Sequence, residues 1–256
     1  MKQKRIVACN WKLHINSYEE AKRTFLAIRK SVAAGRRVVA VVCAPSPFLP
    51  QLARLAEGHK NIFIGAQDVF WENEGSYTGS IGPSLLAEIG VTYVIVGHSE
   101  RRFSGDTDEM VNRKIKATLK AGLTPIVCVG ERERDDHGVY LSFLRNQLHT
   151  ALAAISAVDL AKIIIAYEPV WAIGKDALRP ITPHDLHETA IFIRKTLAES
   201  YGTDAAFAVP VLYGGSVSAS NAAEQLRSGV QGLLIGRAST KQEEITQIIR
   251  IATQES

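Results

Sequence analysis

The stretch Ala166-Tyr-Glu-Pro-Val-Trp-Ala-Ile-Gly174 follows three consecutive isoleucines and therefore reads as the end of a buried β-strand. A carboxylate is costly to bury, so Glu168 at such a strand end rarely serves packing alone. Pro169 stiffens the exit from the strand. The residues that follow are unusually apolar for a surface loop, and they predict a lid that folds down and expels water from a small site. This lid comprises Pro169, Val170, Trp171, Ala172, Ile173 and Gly174.

Short apolar runs of the same kind recur along the whole chain, and amphipathic helical stretches separate them. The runs are continuous rather than alternating, which is typical of parallel strands covered on both faces. Eight such strands over about 250 residues favour an α/β fold, a closed (β/α)8 barrel in which residues 1–256 form a single domain. An open doubly wound sheet fits the same alternation, but no G-x-G-x-x-G motif follows the first strand. The predicted strands are Ile6–Cys9, Val38–Cys43, Ile62–Gly65, Tyr93–Val96, Pro125–Val129, Ile163–Tyr167, Phe207–Leu212 and Gly232–Ile235.

Helices are predicted between the strands, and one of them carries clear end signals. Thr182 is a good N-cap, Pro183 suits the first helical position, and this helix is expected to stop near Gly202. Further helices are predicted over Ser17–Val32, Ser220–Ser228 and Lys241–Ala252.

The bulk composition excludes several classes of protein. The chain has 256 residues, 46% hydrophobic and 22% charged, with a net charge of +4 that is too mild and dispersed to indicate nucleic-acid binding. No segment has the length of a secretory leader or a membrane span, so no membrane association is expected. Cys9, Cys43 and Cys128 lack the spacing of a disulfide framework or a zinc site. We expect buried thiols, no metal, and a cytoplasmic location.

Polar residues gather where the predicted strands end, and in such barrels function belongs to the carboxyl ends of the strands. Each residue alone is weak evidence for a functional site, since a lone histidine is more often structural and a Gly-Gly pair is more often a turn. Packing does not readily explain why such residues occur together at five strand ends. These residues are Asn10-Trp-Lys12, Gly97-His-Ser-Glu-Arg-Arg102, Glu168, Gly214-Gly-Ser216 and Gly236-Arg237.

The residue types indicate acid–base chemistry on an anionic substrate. Glu168 is suited to removing a proton from a carbon next to a carbonyl. His98 begins a helical turn, where the helix dipole favours a neutral imidazole that donates to the developing negative charge. Lys12 supplies a cation and Asn10 an amide donor. Backbone N–H groups of Gly174, Gly215, Ser216 and Gly236, with a helix starting at Ser218, predict a phosphate site.

Six segments resemble triosephosphate isomerases, in the order of that family and over nearly the whole chain. The resemblance implies a TIM barrel that needs no cofactor or metal and interconverts dihydroxyacetone phosphate and glyceraldehyde 3-phosphate. It implies Glu168 as base, His98 as electrophile, and Asn10, Trp11 and Lys12 as catalytic or substrate contacts. Gly174, Ser216 and Gly236 would hold the phosphate, and Ser99 and Glu100 would support the residues that touch the substrate, with Glu100 orienting Lys12. Gly215 and the backbone N–H of Arg237 are further predicted phosphate contacts. The segments are Asn10–Lys12, Gly65–Gln67, Tyr77–Gly79, Gly97–Arg102, Ala166–Gly174 and Tyr213–Val217.

The resemblance also implies a homodimer, in which a loop after the third strand enters the partner near the lysine of the first strand. That loop would be Gly75, Ser76, Tyr77, Thr78 and Gly79. A solvent-exposed Ω-loop is the alternative, although Phe70, Trp71 and Tyr77 are a large aromatic surface to leave in water.

Two departures from the family keep other functions open. Arg237 replaces a usual glycine, and Lys175–Ile181 replaces the usual second half of the lid. Either the Arg237 side chain contacts the phosphate or it points to water. An isomerase of tetrulose phosphates, or an inactive barrel used for binding, therefore stays as an alternative to the triose enzyme.

Overall fold

Eight parallel strands close into a barrel, as the sequence predicts. The computed structural model describes residues 4–34, 37–135, 137–173 and 179–256. The strands pair in chain order, and β1 completes the ring by pairing with β8. They are β1 (Arg5–Asn10), β2 (Val38–Cys43), β3 (Ile62–Ala66), β4 (Tyr93–Val96), β5 (Thr124–Val129), β6 (Ile164–Tyr167), β7 (Val211–Tyr213) and β8 (Gly232–Ile235).

Helices cover the outside of this barrel. In the described part of the chain, short 3-10 turns lie at Ser46–Phe48, Val170–Ala172 and Arg237–Thr240. The α-helices are α1 (Tyr18–Ala34), α2 (Leu49–Ala56), α3 (Pro83–Glu88), α4 (Ser99–Phe103), α5 (Asp108–Lys120), α6 (Val139–Ala151), α7 (Ala157–Leu160), α8 (Pro183–Tyr201), α9 (Thr203–Ala208), α10 (Ala222–Arg227) and α11 (Gln242–Gln254).

The core has two layers because successive residues of a strand face opposite sides. The larger layer fills the space between the strands and the helices, where Phe25 and Ile28 of α1 and Leu144 of α6 are wholly buried. The smaller layer fills the barrel interior. It consists of Ala8, Val41, Cys43, Ile95, Ile126, Cys128, Ile164, Ala166, Leu212 and Leu234. The barrel is therefore a packed solid, and its open end is the place for a cavity.

The predicted start of α8 is confirmed in detail. The Thr182 hydroxyl accepts from the Asp185 N–H at 3.1 Å, and Asp185 accepts from the Thr182 N–H at 3.2 Å, which makes a capping box. Partial burial acts to raise the pKa of Asp185, but hydrogen bonds from Arg179 and Thr182 hold that pKa at about 2. The helix ends at Gly202, whose φ of 83° suits glycine alone.

Two predicted boundaries are wrong. The seventh strand begins at Val211, because Thr203–Ala208 forms the short helix α9 with Phe207 62% exposed on its surface. Alanines make up half of that helix, and helix propensity together with an acidic first turn prevails over the apolar run. The helix predicted from Ser218 begins only at Ala222 and has six residues.

The three cysteines are wholly buried free thiols, as expected from the sequence. Burial raises the pKa of Cys9 to about 12. Within the described residues, no helix combines the length and the apolar character that crossing a bilayer requires.

Candidate active site

A cavity of about 500 Å³ opens at the carboxyl ends of the strands and gathers most of the predicted site residues. Asn10 and Lys12 come from the end of β1, His98 from β4 and Glu168 from β6. The lining is completed by His14, Ser99, Glu100, Ile173, Gly214, Gly215, Ser216, Val217, Leu234, Gly236, Arg237 and Ala238.

Glu168 is placed by the backbone of its two neighbouring strands. Its N–H donates to Val129 O at 2.8 Å, one strand away. Glycines flank it on both sides: a Cβ on Gly130 would lie 1.7 Å from Glu168 O, and a Cβ on Gly214 would lie 2.9 Å from Glu168 Cγ. The chain therefore needs glycine at both positions for Glu168 to occupy this strand end. Sequence reasoning alone misses Gly130, although its place directly after β5 is a signal.

The Glu168 carboxylate is buried and fully engaged. One oxygen lies 3.1 Å from His98 Nε2, and the other accepts from the Ser99 N–H at 2.9 Å. Burial alone would raise the pKa of Glu168, but His98, the Ser99 N–H and the Lys12 charge stabilise the carboxylate and bring its pKa below the usual value. A buried carboxylate that stays ionised at neutral pH is available as a base.

His98 is fixed as a neutral imidazole by its local backbone. It is the N-cap of α4, and its Nδ1 accepts from the Glu100 N–H at 3.1 Å. A ring nitrogen that accepts carries no proton, so the proton resides on Nε2, which faces Glu168. The ring therefore presents a donor to the cavity without carrying a charge.

Lys12 is held in a strained conformation by contacts from three strand ends. Its φ is 48°, in the left-handed region that non-glycine residues rarely occupy. Its N–H donates to Asn10 Oδ1 at 3.1 Å, its carbonyl accepts from Gln67 Nε2 at 2.9 Å, and its Nζ lies 2.7 Å from Glu100 Oε1. Such strain costs about 1–3 kcal/mol and persists only where the surroundings impose it.

The predicted phosphate end is formed by the turns after β7 and β8. A Cβ on Gly215 would lie 2.1 Å from Tyr213 Oη, so the first turn accepts only glycine there. Gly236 passes beside Lys12, since a Cβ on this glycine would lie 3.5 Å from Lys12 Cε. Arg237 is exposed at the rim of the cavity. Gly174 lies outside the described residues.

The turn after β7 is tied by a side chain and not by a helix end. Asn221 Oδ1 accepts from the Ser218 N–H at 2.9 Å, and Asn221 Nδ2 donates to Ser216 O at 2.9 Å. Because α10 begins after these residues, its N-terminus does not start at Ser218 as predicted. Asn221 takes over the shaping of this turn.

Trp11 does not line the cavity, which corrects its assignment as a substrate contact. It is wholly buried in the layer between barrel and helices. Since neighbouring side chains near a strand end point to opposite faces, Asn10 faces the cavity and Trp11 faces the core. Its place in the signature segment reflects packing.

The lid base is anchored in the core, so the apolar sequence after Glu168 does have a packing reason. Trp171 and Ala172 are buried, and Trp171 Nε1 donates to Glu131 Oε1 at 2.7 Å. The same buried oxygen accepts from Tyr167 Oη at 2.8 Å and lies 3.2 Å from Arg134. Sequence reasoning alone misses Glu131, although a carboxylate two residues beyond β5 is a signal.

The unusual second half of the lid contacts the first half through Arg179. Residues 174–178 lie outside the described residues. The Arg179 guanidinium sits 4.7 Å from the Trp171 ring centre and 2.7 Å from Asp185 Oδ2. Arg179 is thereby tied to both the lid base and the capping box of α8.

The predicted dimer loop, Gly75–Gly79, is exposed along its whole length. The Tyr77 ring packs 4.6 Å from Phe70 and is 46% exposed. Two further apolar side chains are more exposed still, Leu13 at 81% and Phe103 at 88%. Leu13 directly follows Lys12, and Phe103 ends the helix after His98, so both belong to segments that carry site residues.

A buried ionised carboxylate beside a neutral imidazole can transfer protons, and the fold and the site together define a (β/α)8-barrel protein equipped for acid–base catalysis. Comparison with known sequences narrows this class. The sequence model described as triosephosphate isomerase matches residues 5–252. The chain belongs to the triosephosphate isomerase family.

Individual relatives cover almost the whole chain. It is 42% identical over 247 residues to the triosephosphate isomerase of Caldanaerobacter subterraneus subsp. tengcongensis, covering 95% of this chain and 98% of that one. It is 40% identical over 253 residues to that of Acetivibrio thermocellus, covering 98% and 99%. The crystal structure of triosephosphate isomerase from Bartonella henselae superposes with a TM-score of 0.84 at 34% identity, covering 97% and 98%.

Proposed function

We propose that this protein interconverts dihydroxyacetone phosphate and D-glyceraldehyde 3-phosphate by proton transfer through an enediolate. The observation that carries the proposal is the contact of 3.1 Å between Glu168 and the neutral His98 ring. A glutamate base paired with a neutral histidine is characteristic of triosephosphate isomerases, so the pairing is not specific to this chain.

Glu168 acts as the base. Its carboxylate leaves the Ser99 N–H and takes a proton from the substrate carbon next to the carbonyl. The electrons move onto the carbonyl oxygen and form the enediolate. Glu168 then returns the proton to the neighbouring carbon, while the hydroxyl proton moves from one enediolate oxygen to the other, so that the first becomes the new carbonyl and the second the new hydroxyl. The isomerisation is then complete without a net change in the enzyme.

His98, Lys12 and Asn10 stabilise the charge that this step creates. The Nε2–H of His98 donates to the enediolate oxygens, and a neutral donor has a proton affinity closer to theirs than an imidazolium would. Lys12 offers a cation held by Glu100, and the Asn10 side chain fixes the Lys12 backbone from within the cavity. Pre-positioned groups of this kind cost no reorganisation during the reaction.

The substrate phosphate binds at the turns after β7 and β8. Backbone N–H groups of Gly215, Ser216, Gly236 and Arg237 serve there, and glycine at the first position lets the turn stay tight. Gly174 is proposed to join them from the lid. Since Arg237 is exposed, its guanidinium adds a solvent-screened attraction for the anion and not a buried contact.

The test is a coupled isomerase assay on purified protein. Glu168→Gln removes the base at nearly constant volume, and we expect kcat to fall by about 10²-fold or more, in line with loss of a general base. Glu243→Gln, an exposed glutamate on α11, is the matched control and should keep kcat. Full kcat in Glu168→Gln would show that the base is assigned wrongly.

The same assay with erythrulose phosphate decides between triose and tetrulose substrates. We expect kcat/KM to be at least about tenfold higher for glyceraldehyde 3-phosphate, because one extra carbon between base and phosphate is worth roughly that factor. A preference for the tetrulose would overturn the substrate assignment. Inactivity toward both would point to a binding role for the barrel.

We further propose a homodimer with two-fold symmetry. Leu13, Tyr77 and Phe103 expose apolar surface that a partner would cover, and Leu13 and Phe103 belong to segments that carry site residues. Sedimentation at low micromolar concentration should give twice the chain mass, and a monomer alone would contradict this. Three buried free thiols fit a reducing compartment, and we propose the cytoplasm.

A further inference from the structure

The two side chains that hold Lys12 from outside β1 are each followed directly by a charged residue of one cluster. Gln67, which binds the Lys12 carbonyl, precedes Asp68. Glu100, which binds the Lys12 ammonium, precedes Arg101. These holding residues lie beyond the last paired residues of the neighbouring strands β3 and β4, where contacts outside the sheet contribute to their separation.

Asp68 and Arg101 bridge the two strand ends directly, with Arg101 Nε 3.0 Å from Asp68 Oδ2. Beneath this pair, Lys114 of α5 lies 2.7 Å from Asp68 and 2.6 Å from Asp106. Asp106 completes the circuit by accepting from Arg101 at 3.2 Å. The result is a closed ring of four ion pairs with two cations and two anions, which we call the charge ring.

The charge ring is poorly explained as a source of stability. The Lys114 and Asp106 side chains are only 3% and 5% exposed, and ion pairs at such depth lose about as much in desolvation as they gain in attraction. Fixed geometry is what a closed, charge-balanced ring provides. None of its four members lines the catalytic cavity, so none can act on substrate directly.

We propose that the charge ring is a positioning device for Lys12. By fixing the distance between the segments that carry Gln67 and Glu100, it maintains the left-handed backbone of Lys12 and aims its ammonium into the cavity. Asp68, Arg101, Asp106 and Lys114 are therefore positioning residues. The proposal rests on the proposed role of Lys12 in binding an anionic substrate.

The first variant is Asp68→Asn, which keeps the shape of the side chain and removes one charge of the ring. We expect kcat/KM to fall about tenfold, because displacing a substrate-binding group by a fraction of an ångström has effects of this order. The loss should appear in kcat and KM together, because Lys12 faces the enediolate and lies beside Gly236 of the proposed phosphate site, and inorganic phosphate should inhibit more weakly. Arg101→Lys keeps the charge but cannot bridge both carboxylates, and should show a smaller loss of the same kind.

The matched control is Arg113→Gln, one residue before Lys114 on α5. Arg113 pairs with Glu72 at 3.3 Å on the exposed face and lies outside the charge ring. We expect its kcat/KM and phosphate inhibition to stay at the wild-type values. A loss there equal to that of Asp68→Asn would assign the effect to charge removal in general, against the proposal.

A double-mutant cycle with Lys12→Met separates positioning from general structural damage. If the ring acts through Lys12, Asp68→Asn should change inorganic phosphate binding by less than about twofold once Lys12 is gone. An equal loss in both backgrounds would overturn the proposal, as would wild-type kinetics in a folded Asp68→Asn variant. If that variant does not fold, Arg101→Lys carries the same cycle.

A result that refutes the proposed isomerase activity can be distinguished from a result that refutes the proposed role of the charge ring. A wild-type protein without isomerase activity refutes the proposed function. The phosphate-binding cycle still decides whether Asp68 acts through Lys12, since it is read from binding and not from turnover.

Discussion

Gly214→Ala should damage catalysis far more than folding. The added methyl would lie 2.9 Å from Glu168 Cγ, whereas its next contacts, Tyr167 O at 3.4 Å and Leu234 Cδ2 at 3.5 Å, are ordinary. Carbon atoms prefer about 3.5–4.0 Å, so the Glu168 side chain must move by roughly 0.6–1 Å. A misplacement of about 1 Å costs on the order of 10²-fold in rate, and we expect kcat to fall ten- to a hundredfold.

The coupled assay gives kcat and KM, and thermal unfolding gives the stability. Overpacking costs roughly 1–3 kcal/mol, so the variant should remain folded at assay temperature. Phosphate inhibition should change little, because the methyl points at the base and away from the turn that binds phosphate. A folded Gly214→Ala protein with kcat within a factor of about two of wild type would refute the placement of Glu168 as the reacting base.

Ile126→Val is the matched control for this experiment. Ile126 is wholly buried in the barrel interior, the same layer that lies beneath Glu168. Removing one methyl group there costs about 0.5–1.5 kcal/mol, comparable to the overpacking. Because nothing is pushed toward Glu168, kcat should be retained, which separates a destabilised barrel from a displaced base.

Three further predictions concern pH and the lid. Asp185→Asn should lower the free energy of unfolding at pH 7 by about 0.5–1 kcal/mol, because the negative charge at the helix N-terminus and its ion pair with Arg179 are lost while Thr182 still caps the helix. The pKa of Asp185 in the folded protein, about 2, lies below its value in the unfolded chain. The stabilisation by Asp185 is therefore fully present above roughly pH 4 and is lost as the pH falls through about 2. Acid unfolding of the wild type and of Asp185→Asn checks this pH dependence. The lowered pKa of Glu168 in the ligand-free protein predicts that kcat/KM, once corrected for ionisation of the substrate phosphate near about pH 6, stays flat down to about pH 5. A remaining limb between about pH 5 and 7 would contradict the lowered pKa. Glu131→Gln should weaken the hold on Trp171 and lower Tm, because a neutral amide replaces a buried carboxylate that accepts from several donors; an unchanged Tm would contradict the anchor.

Much of the site is predictable because its residues sit in short contiguous segments at strand ends. Glu168, His98, Lys12 and Asn10 each follow an apolar run, and the topology of a parallel barrel brings all carboxyl ends of strands to one face. Even the neutral state of His98 follows from a contact close in sequence, since its Nδ1 accepts a hydrogen bond from the N–H two residues later.

Two predictions from the sequence, the strand at Phe207 and the position of Trp11 in the cavity, differ from the structure because one local sequence pattern competes with another. The apolar run at Phe207 predicts a strand, but an alanine-rich turn with an acidic start forms helix there. The signature segment predicts Trp11 in the cavity, yet the alternation of side chains near a strand end sends it into the core. Sequence proximity to a functional residue does not specify which way a side chain points.

The sequence alone determined the architecture and the proposed reacting groups of this protein, because periodicity and residue chemistry are local. Only the tertiary structure decided what holds those groups: the glycine at 130 that admits Glu168, the buried Glu131 beneath the lid, and the charge ring around Lys114. Each of these contacts joins segments far apart in the chain. The distance in space between two such segments depends on how the barrel closes, and barrel closure cannot be read from any single stretch of sequence.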